Sequence, residues 1–206
     1  MKRVLILANI SKIDKEILND SYIIGVDKGA YVASLNQITM DTAIGDFDSI
    51  DSEMMPLIEK YSKRIIKLNS IKDFTDTNEA LGLCNPNDEI IILGGIQGKR
   101  IEHFYANIIE LKNNPNLKMI DDYSLIETKA NSFIPRMDYK YISFFSLENE
   151  SIISLSGFSY NLNKYVLKDN DPLCISNEIN SKNPYVEIIK GRLLVIYTKE
   201  DHKRSI

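Results

Sequence analysis

Short aliphatic runs alternate with helix-period segments from residue 1 to about residue 121, and this alternation restricts the fold more than any other feature of the chain. Strands are predicted at 4–8, 23–26, 42–44, 65–68 and 89–93. The clearest helix is predicted over 101–112, where Ile101, Phe104, Tyr105, Ile108 and Leu111 share one face at helical spacing. A shorter amphipathic segment spans 77–83. Strands separated by helices need crossover connections. This part is therefore expected to be an α/β unit, a mostly parallel sheet with helices on both faces.

Beyond Asp121 the texture changes. Residues become β-branched, aromatic and serine-rich, with alternation over 139–147 and a second strong run over 186–198. Turn-forming segments such as LENES, YNLNK, KDNDP and NSKNP separate the runs, and helical periodicity disappears. A small antiparallel sheet or sandwich is expected there, with the boundary near 122–128. A chain of 206 residues accommodates one large domain or two small ones.

Composition excludes several classes. An apolar fraction of 44% with 26% charged residues is ordinary for a globular protein and argues against disorder. A net charge of −4 without a Lys and Arg stripe argues against nucleic-acid binding, which rests on neutralising backbone phosphates. The longest uninterrupted aliphatic stretch, 90–93, is far too short to cross a bilayer, and the amino-terminal run has no cleavage-site pattern. Cys84 and Cys174 match no disulfide framework or Cys-x-x-Cys spacing and are expected to be inert in a cytosolic protein.

Five aspartates crowd three short segments: Asp27 in VDKGA, Asp46 and Asp48 in IGDFDSID, and Asp73 and Asp76 in IKDFTDTNEAL. Acids converging on one site repel one another, and a hard cation such as Mg²⁺ relieves that repulsion while binding substrate phosphates. In an extended backbone, Asp46 and Asp48 would project to one side beyond a strand end, a geometry for sharing a cation. A surface turn is the plainer reading of that segment. Asp76 followed by Glu79 also matches a helix-capping arrangement, which would be compatible with metal binding through its second oxygen. Asp27 closes a strand and suits ribose, base or metal contact, or simply a turn.

The segment GGIQGKRIEH follows the most aliphatic strand and leads into the clearest helix. Gly94, Gly95 and Gly98 would let backbone N–H groups approach a phosphate, and Arg100 would grip its oxygens. The spacing is neither that of a dinucleotide-binding loop nor that of a P-loop. A tight strand-to-helix turn would explain the glycines equally well. His103 shares a helix face with Lys99 and Asn107, where a structural role is the commoner one.

VDKGA, IGDFDSID, KDFTDTNEAL and GGIQGKRIEH occur in an order and spacing that resembles bacterial thiamine pyrophosphokinases. In the second half, LSGFSYNL is similar to that family's glycine-leucine-lysine-tyrosine-proline-leucine segment. Ser176, Asn177 and Glu178 resemble its serine-asparagine-glutamate signature. The likeness covers nearly the whole chain. It departs at Lys99, where the family has glycine, and at Glu102, where it has aspartate. Ser159, Asn161 and Cys174 replace lysine, proline and glycine.

The resemblance implies an α/β catalytic, nucleotide-binding domain over 1–125 and a β-sandwich thiamine-binding domain over 126–206. It implies transfer of the diphosphate of ATP to thiamine, with Mg²⁺ required, in a homodimer whose active sites lie between subunits. Asp46, Asp48 and Asp76 would hold metal and phosphate, and Arg100 would grip phosphate. Asp27, Asp73 and Thr75 would shape the nucleotide site, with Gly95, Gly98, Lys99, Glu102 and His103 around the phosphates. Ser176 and Asn177 would lie near thiamine. Two other readings of the same residues are a different metal-dependent transferase that uses a nucleotide, and a non-catalytic nucleotide or thiamine sensor.

Overall fold

The computed structural model describes residues 1–8, 10–69, 74–98 and 100–200. It divides into two compact units, Met1–Asp122 and Tyr123–Ile206. In the first, the elements run β1 (Lys2–Ile6), α1 (Lys15–Leu18), β2 (Ser21–Val26), α2 (Lys28–Leu35), β3 (Thr42–Gly45), α3 (Met55–Lys60), β4 (Ile65–Lys67), α4 (Asp76–Leu81), β5 (Glu89–Leu93), α5 (Ile101–Asn113) and β6 (Leu117–Ile120). The strands lie in the order β4-β3-β2-β1-β5-β6, and every pairing among them is parallel. The alternation in the sequence required this, because parallel neighbours must be joined by crossovers. Continuous burial along β3 and over the last four residues of β5 is the signature of a sheet covered on both faces.

The strand order places the site. Successive strands step outward from β1 to β4 on one side, and the chain then returns to pair β5 against the other edge of β1. Crossovers on the two sides of β1 diverge, so a crevice opens beyond the carboxyl ends of β1 and β5, where open α/β sheets bind ligands.

The second unit holds β7 (Ser124–Lys129), β8 (Tyr141–Ser146), β9 (Glu150–Ser156), β10 (Leu162–Lys168), β11 (Tyr185–Lys190) and β12 (Leu193–Thr198). They form antiparallel ladders in the orders β7-β12-β8 and β10-β9-β11. β8 and β9 bury alternate residues, the two-residue period of a half-covered strand. Phe144 and Phe158 meet edge to face, 6.0 Å apart, inside the unit.

Several sequence expectations need correction. The run predicted over 186–198 is two strands in different ladders, broken at Gly191, whose φ of +89° excludes most side chains. A Cβ at Gly191 would also lie 2.4 Å from the Ser151 hydroxyl. The apolar face predicted for α5 is only partly covered: Ile101 and Tyr105 are 69% and 67% exposed, whereas Asn107 and Leu111 are buried. The first turn of α5 borders a cavity, so full burial begins only one and a half turns later. Both cysteine thiols are pushed up to about 11 by burial, which keeps them protonated and unreactive at neutral pH.

At Gly29, two physical effects compete. Alanine is a better helix former by about 1 kcal/mol, yet a Cβ there would lie 2.0 Å from the Ile6 carbonyl oxygen at the end of the central strand. Backbone cannot yield cheaply at that distance. Gly29→Ala is expected to destabilise the protein by about 1–3 kcal/mol in urea unfolding. A variant as stable as the parent would show that α2 is free to move off β1.

Candidate functional site

Four chain segments meet beyond the carboxyl ends of β1, β2 and β5 and enclose a cavity of about 540 Å³. Leu7 and Ala8 follow β1, Val26 and Asp27 close β2, Thr75 and Asp76 open α4, and Gly95 to Gly98 connect β5 to α5. Arg100, His103 and Asn107 also line it.

Asp27 is held under constraint. Its φ of +46° and ψ of −123° lie outside the regions that L residues favour, a strain that functional sites concentrate. The Asp27 N–H donates to the Ile44 carbonyl at 2.8 Å, which ties the end of β2 to β3. Gly45 permits this approach, because a Cβ there would sit 2.9 Å from the Asp27 Cα. The Ser49 hydroxyl donates to Asp27 Oδ2 at 3.1 Å, while the buried Oδ1 has no hydrogen-bond partner among the described residues. Burial raises the carboxyl above its ordinary range. Hydrogen bonds from the Lys28 backbone and Ser49 oppose that rise, and the negative charges of Asp76 and Asp46 add to it. The Asp27 carboxyl therefore lies within the field of two other predicted acids.

Asp46 and Asp48 are not arranged as an extended strand would place them. Phe47, between them, takes φ +58° and buries its ring in the core, and the Asp48 N–H donates to Asp46 Oδ1 at 3.1 Å. This aspartate turn leaves Asp46 partly buried and Asp48 exposed. The cap of α4 also differs from expectation. Thr75 is the N-cap, its hydroxyl accepting the Asn78 N–H at 3.2 Å, and Asp76 is the first helical residue. Asn78 Nδ2 donates to Glu110 Oε1 at 2.8 Å, fastening α4 to α5 across the cavity's flank.

Gly95 takes φ +74°. Among the described residues, no acceptor meets the backbone N–H of Gly95, Ile96 or Gly98. Backbone N–H groups gathered at a cavity wall form a receptor for anions. Arg100 lies on the same wall, where its Nε is 2.8 Å from Glu102 Oε1 in a pair that is 72% and 62% exposed. This bond holds the Glu102 carboxyl below its ordinary range. Such a pair is held weakly enough to be displaced by a stronger anion.

Among the described residues, no three His, Cys, Asp or Glu side chains form a metal cage. The all-oxygen donor set and the orphaned Asp27 Oδ1 nevertheless fit Mg²⁺, which is commonly held by one or two carboxylates plus substrate phosphates. Asp73 and Lys99 lie outside the described residues.

Ser176 and Asn177 belong to the second unit. Ser176 is exposed at φ +54°, its N–H donating to the Ser143 hydroxyl at 3.0 Å. Asn177 is buried. Its Nδ2 donates to the Tyr160 carbonyl at 2.8 Å, and its Oδ1 accepts from the Tyr160 N–H at 3.1 Å.

Sequence reasoning missed Ser49 as the partner of Asp27, and Gln97 and Asn107 as cavity residues. Asn107 left a signal: it lies three residues beyond Phe104 and four before Leu111, a polar residue on a face otherwise suited to the core.

Comparisons with known proteins agree over both units. A family model described as thiamin pyrophosphokinase, catalytic domain, matches residues 13–120, and one described as its vitamin B1 binding domain matches 131–193. The chain is 33% identical over 187 residues to a thiamine pyrophosphokinase of Bacillus subtilis (strain 168), covering 84% of this chain and 85% of that protein. It is also similar to a crystal structure of thiamine pyrophosphokinase from Bacillus subtilis, with a TM-score of 0.82, 30% identity and coverage of 97% and 100%. A thiamin pyrophosphokinase family protein from Enterococcus faecalis shares the fold at TM-score 0.81 and 24% identity, with the same coverage.

The raised carboxyl of Asp27 predicts a pH dependence. Above the ordinary value of 3.8 the unfolded chain gives up a proton that the folded chain retains, so stability falls as pH rises through the window between the two values. Asp27→Asn is expected to be more stable than the parent at pH 7 in urea unfolding, with the difference closing below about pH 4. An equally stable or less stable variant at neutral pH would contradict the electrostatic account.

Proposed function

The chain belongs to the thiamin pyrophosphokinase family, and from that membership we propose that it transfers the diphosphate of ATP to the hydroxyl of thiamine, giving thiamine diphosphate and AMP. The observation that carries this reading is the cavity beyond the carboxyl ends of β1, β2 and β5, where Asp27 and Asp76 share the lining with Arg100 and the loop from Gly95 to Gly98. One wall suits a cation and the other suits phosphate.

In this reading Gly95, Gly98 and Arg100 bind the phosphates, with Lys99, Glu102 and His103 around them, while Asp27, Asp73 and Thr75 shape the nucleotide site. Asp46, Asp48 and Asp76 hold Mg²⁺, which when bound screens phosphate charge and orients the transferred group. The thiamine hydroxyl attacks the β-phosphorus in line. The new O–P bond forms as the bond to the α-phosphate oxygen breaks, AMP leaves, and a carboxylate of the acid group receives the hydroxyl proton. Such transfers depend on position and charge rather than on covalent help from the protein.

Residues 126–206 supply the thiamine-binding domain, supported by the match to a vitamin B1 binding domain. Ser176 meets the substrate there, and Asn177 acts by fixing Tyr160. The enzyme works as a homodimer in the cytosol, a reading that rests on family likeness. No described helix is long and apolar enough to cross a membrane.

Incubation with Mg-ATP and thiamine, followed by mass analysis, is expected to give AMP and thiamine diphosphate in equal amounts. AMP release that ignores thiamine would overturn the proposal. Asp46→Asn and Asp48→Asn are each expected to reduce turnover by about 100-fold or more with circular dichroism unchanged. Near-normal turnover at saturating Mg²⁺ would remove them from the site.

A further inference from the structure

Asn107 is 4% exposed and lines the cavity from the second turn of α5. Its Nδ2 donates to the Gly95 carbonyl oxygen at 3.1 Å. That carbonyl belongs to the segment leaving the sheet, just after the Gly94 N–H makes its bond to the Ile120 carbonyl at 2.8 Å. Among the described residues between this point and α5 none pairs in a strand, and the loop is held by side chains instead, Asn107 at Gly95 and Gln97 Nε2 donating to Asp121 Oδ2 at 2.9 Å.

A trans peptide points its C=O and its following N–H in opposite directions. Holding the Gly95 oxygen against α5 therefore turns the Ile96 N–H away from α5. A glycine at φ +74° can rotate its peptide at little steric cost, so local backbone preference does not decide which way the group faces. A flipped peptide would present a carbonyl dipole where the loop otherwise offers a donor, and an anion would be repelled. Packing supports the present orientation. A Cβ at Gly95 would lie 2.9 Å from Asn107 Nδ2 and 3.0 Å from Leu7 Cδ2, so the loop is seated directly against the amide that holds it.

We propose that Asn107 is a positioning residue for diphosphate transfer: its side-chain amide clasps the Gly95 carbonyl and so keeps the Ile96 N–H available to the phosphates of the nucleotide. The inference rests on the reading that this loop binds phosphate. Asn107 itself touches the loop rather than the reacting atoms.

The test compares Asn107→Leu, which keeps the branched shape of the side chain and removes the donor, with the parent enzyme. The KM for ATP is expected to rise about tenfold, the scale of one lost buried hydrogen bond, with the KM for thiamine within about twofold. In amide NMR spectra, adding the Mg²⁺ complex of the β,γ-imido analogue of ATP is expected to shift the Ile96 and Gly98 signals in the parent and much less in the variant. An unchanged KM for ATP overturns the proposal. So does a loss that falls equally on both substrates and on the melting temperature, because that marks a structural role alone. If Asn107→Leu does not fold, Asn107→Asp, which is of similar size and cannot donate when ionised, replaces it. Failure of both to fold also assigns Asn107 to the core. If the parent's loop signals ignore the nucleotide and Arg100→Ala leaves the KM for ATP unchanged, the phosphate reading of the loop itself is what fails.

Discussion

The first unit depends on β1 being hydrogen-bonded on both edges. Its five residues pair in register with Ser21 to Gly25 on one side and with Glu89 to Leu93 on the other. A parallel strand placed centrally must be apolar on both faces, and Val4, Leu5 and Ile6 are fully buried. Because the chain leaves toward β2 first and returns to β5 later, the connections diverge above β1 and a cavity is left there. Its two walls come from sequence segments about 70 residues apart, Asp27 on one side and the 95–98 loop on the other.

Those walls are electrostatically unlike. On the acidic side, burial and neighbouring charges make ionised Asp27 costly, and strain in its backbone adds to the cost. On the loop side, the N–H groups of Gly95, Ile96 and Gly98 meet no acceptor among the described residues. Neither wall is self-sufficient: carboxylates need positive charge and amides need an acceptor. A phosphate chain carrying a divalent cation would satisfy both, which gives a physical reason for the two walls to face one another across the same cavity. The Arg100–Glu102 pair fits the same logic, since an exposed ion pair is a weak substitute for a multiply charged phosphate.

Much of the fold was legible from pattern. The five strands expected in the first unit exist, and the helix from Ile101 differs by one residue at its end. Alternation in β8 marked an antiparallel half-buried strand. The misses have local causes. Residues 186–198 read as one run because periodicity cannot register a single left-handed glycine, and β6 escaped because Lys118 interrupts its apolar residues. The cap of α4 was assigned one residue too late because threonine and aspartate cap equally well in sequence terms. At the site, the turn at Phe47 was invisible, since an aromatic residue at positive φ is held by burial rather than preference.

The sequence alone determined that this chain alternates strand and helix before residue 121, that antiparallel strands follow, and that acids and glycines cluster near strand ends. Those features reside in period, composition and spacing, all readable along one dimension. Tertiary structure decided which strand ends became neighbours, which acids share a field, and that Ser49 and Asn107 serve the cavity. Each of these depends on contacts between residues distant in sequence, such as Ser49 with Asp27, and no local propensity encodes them.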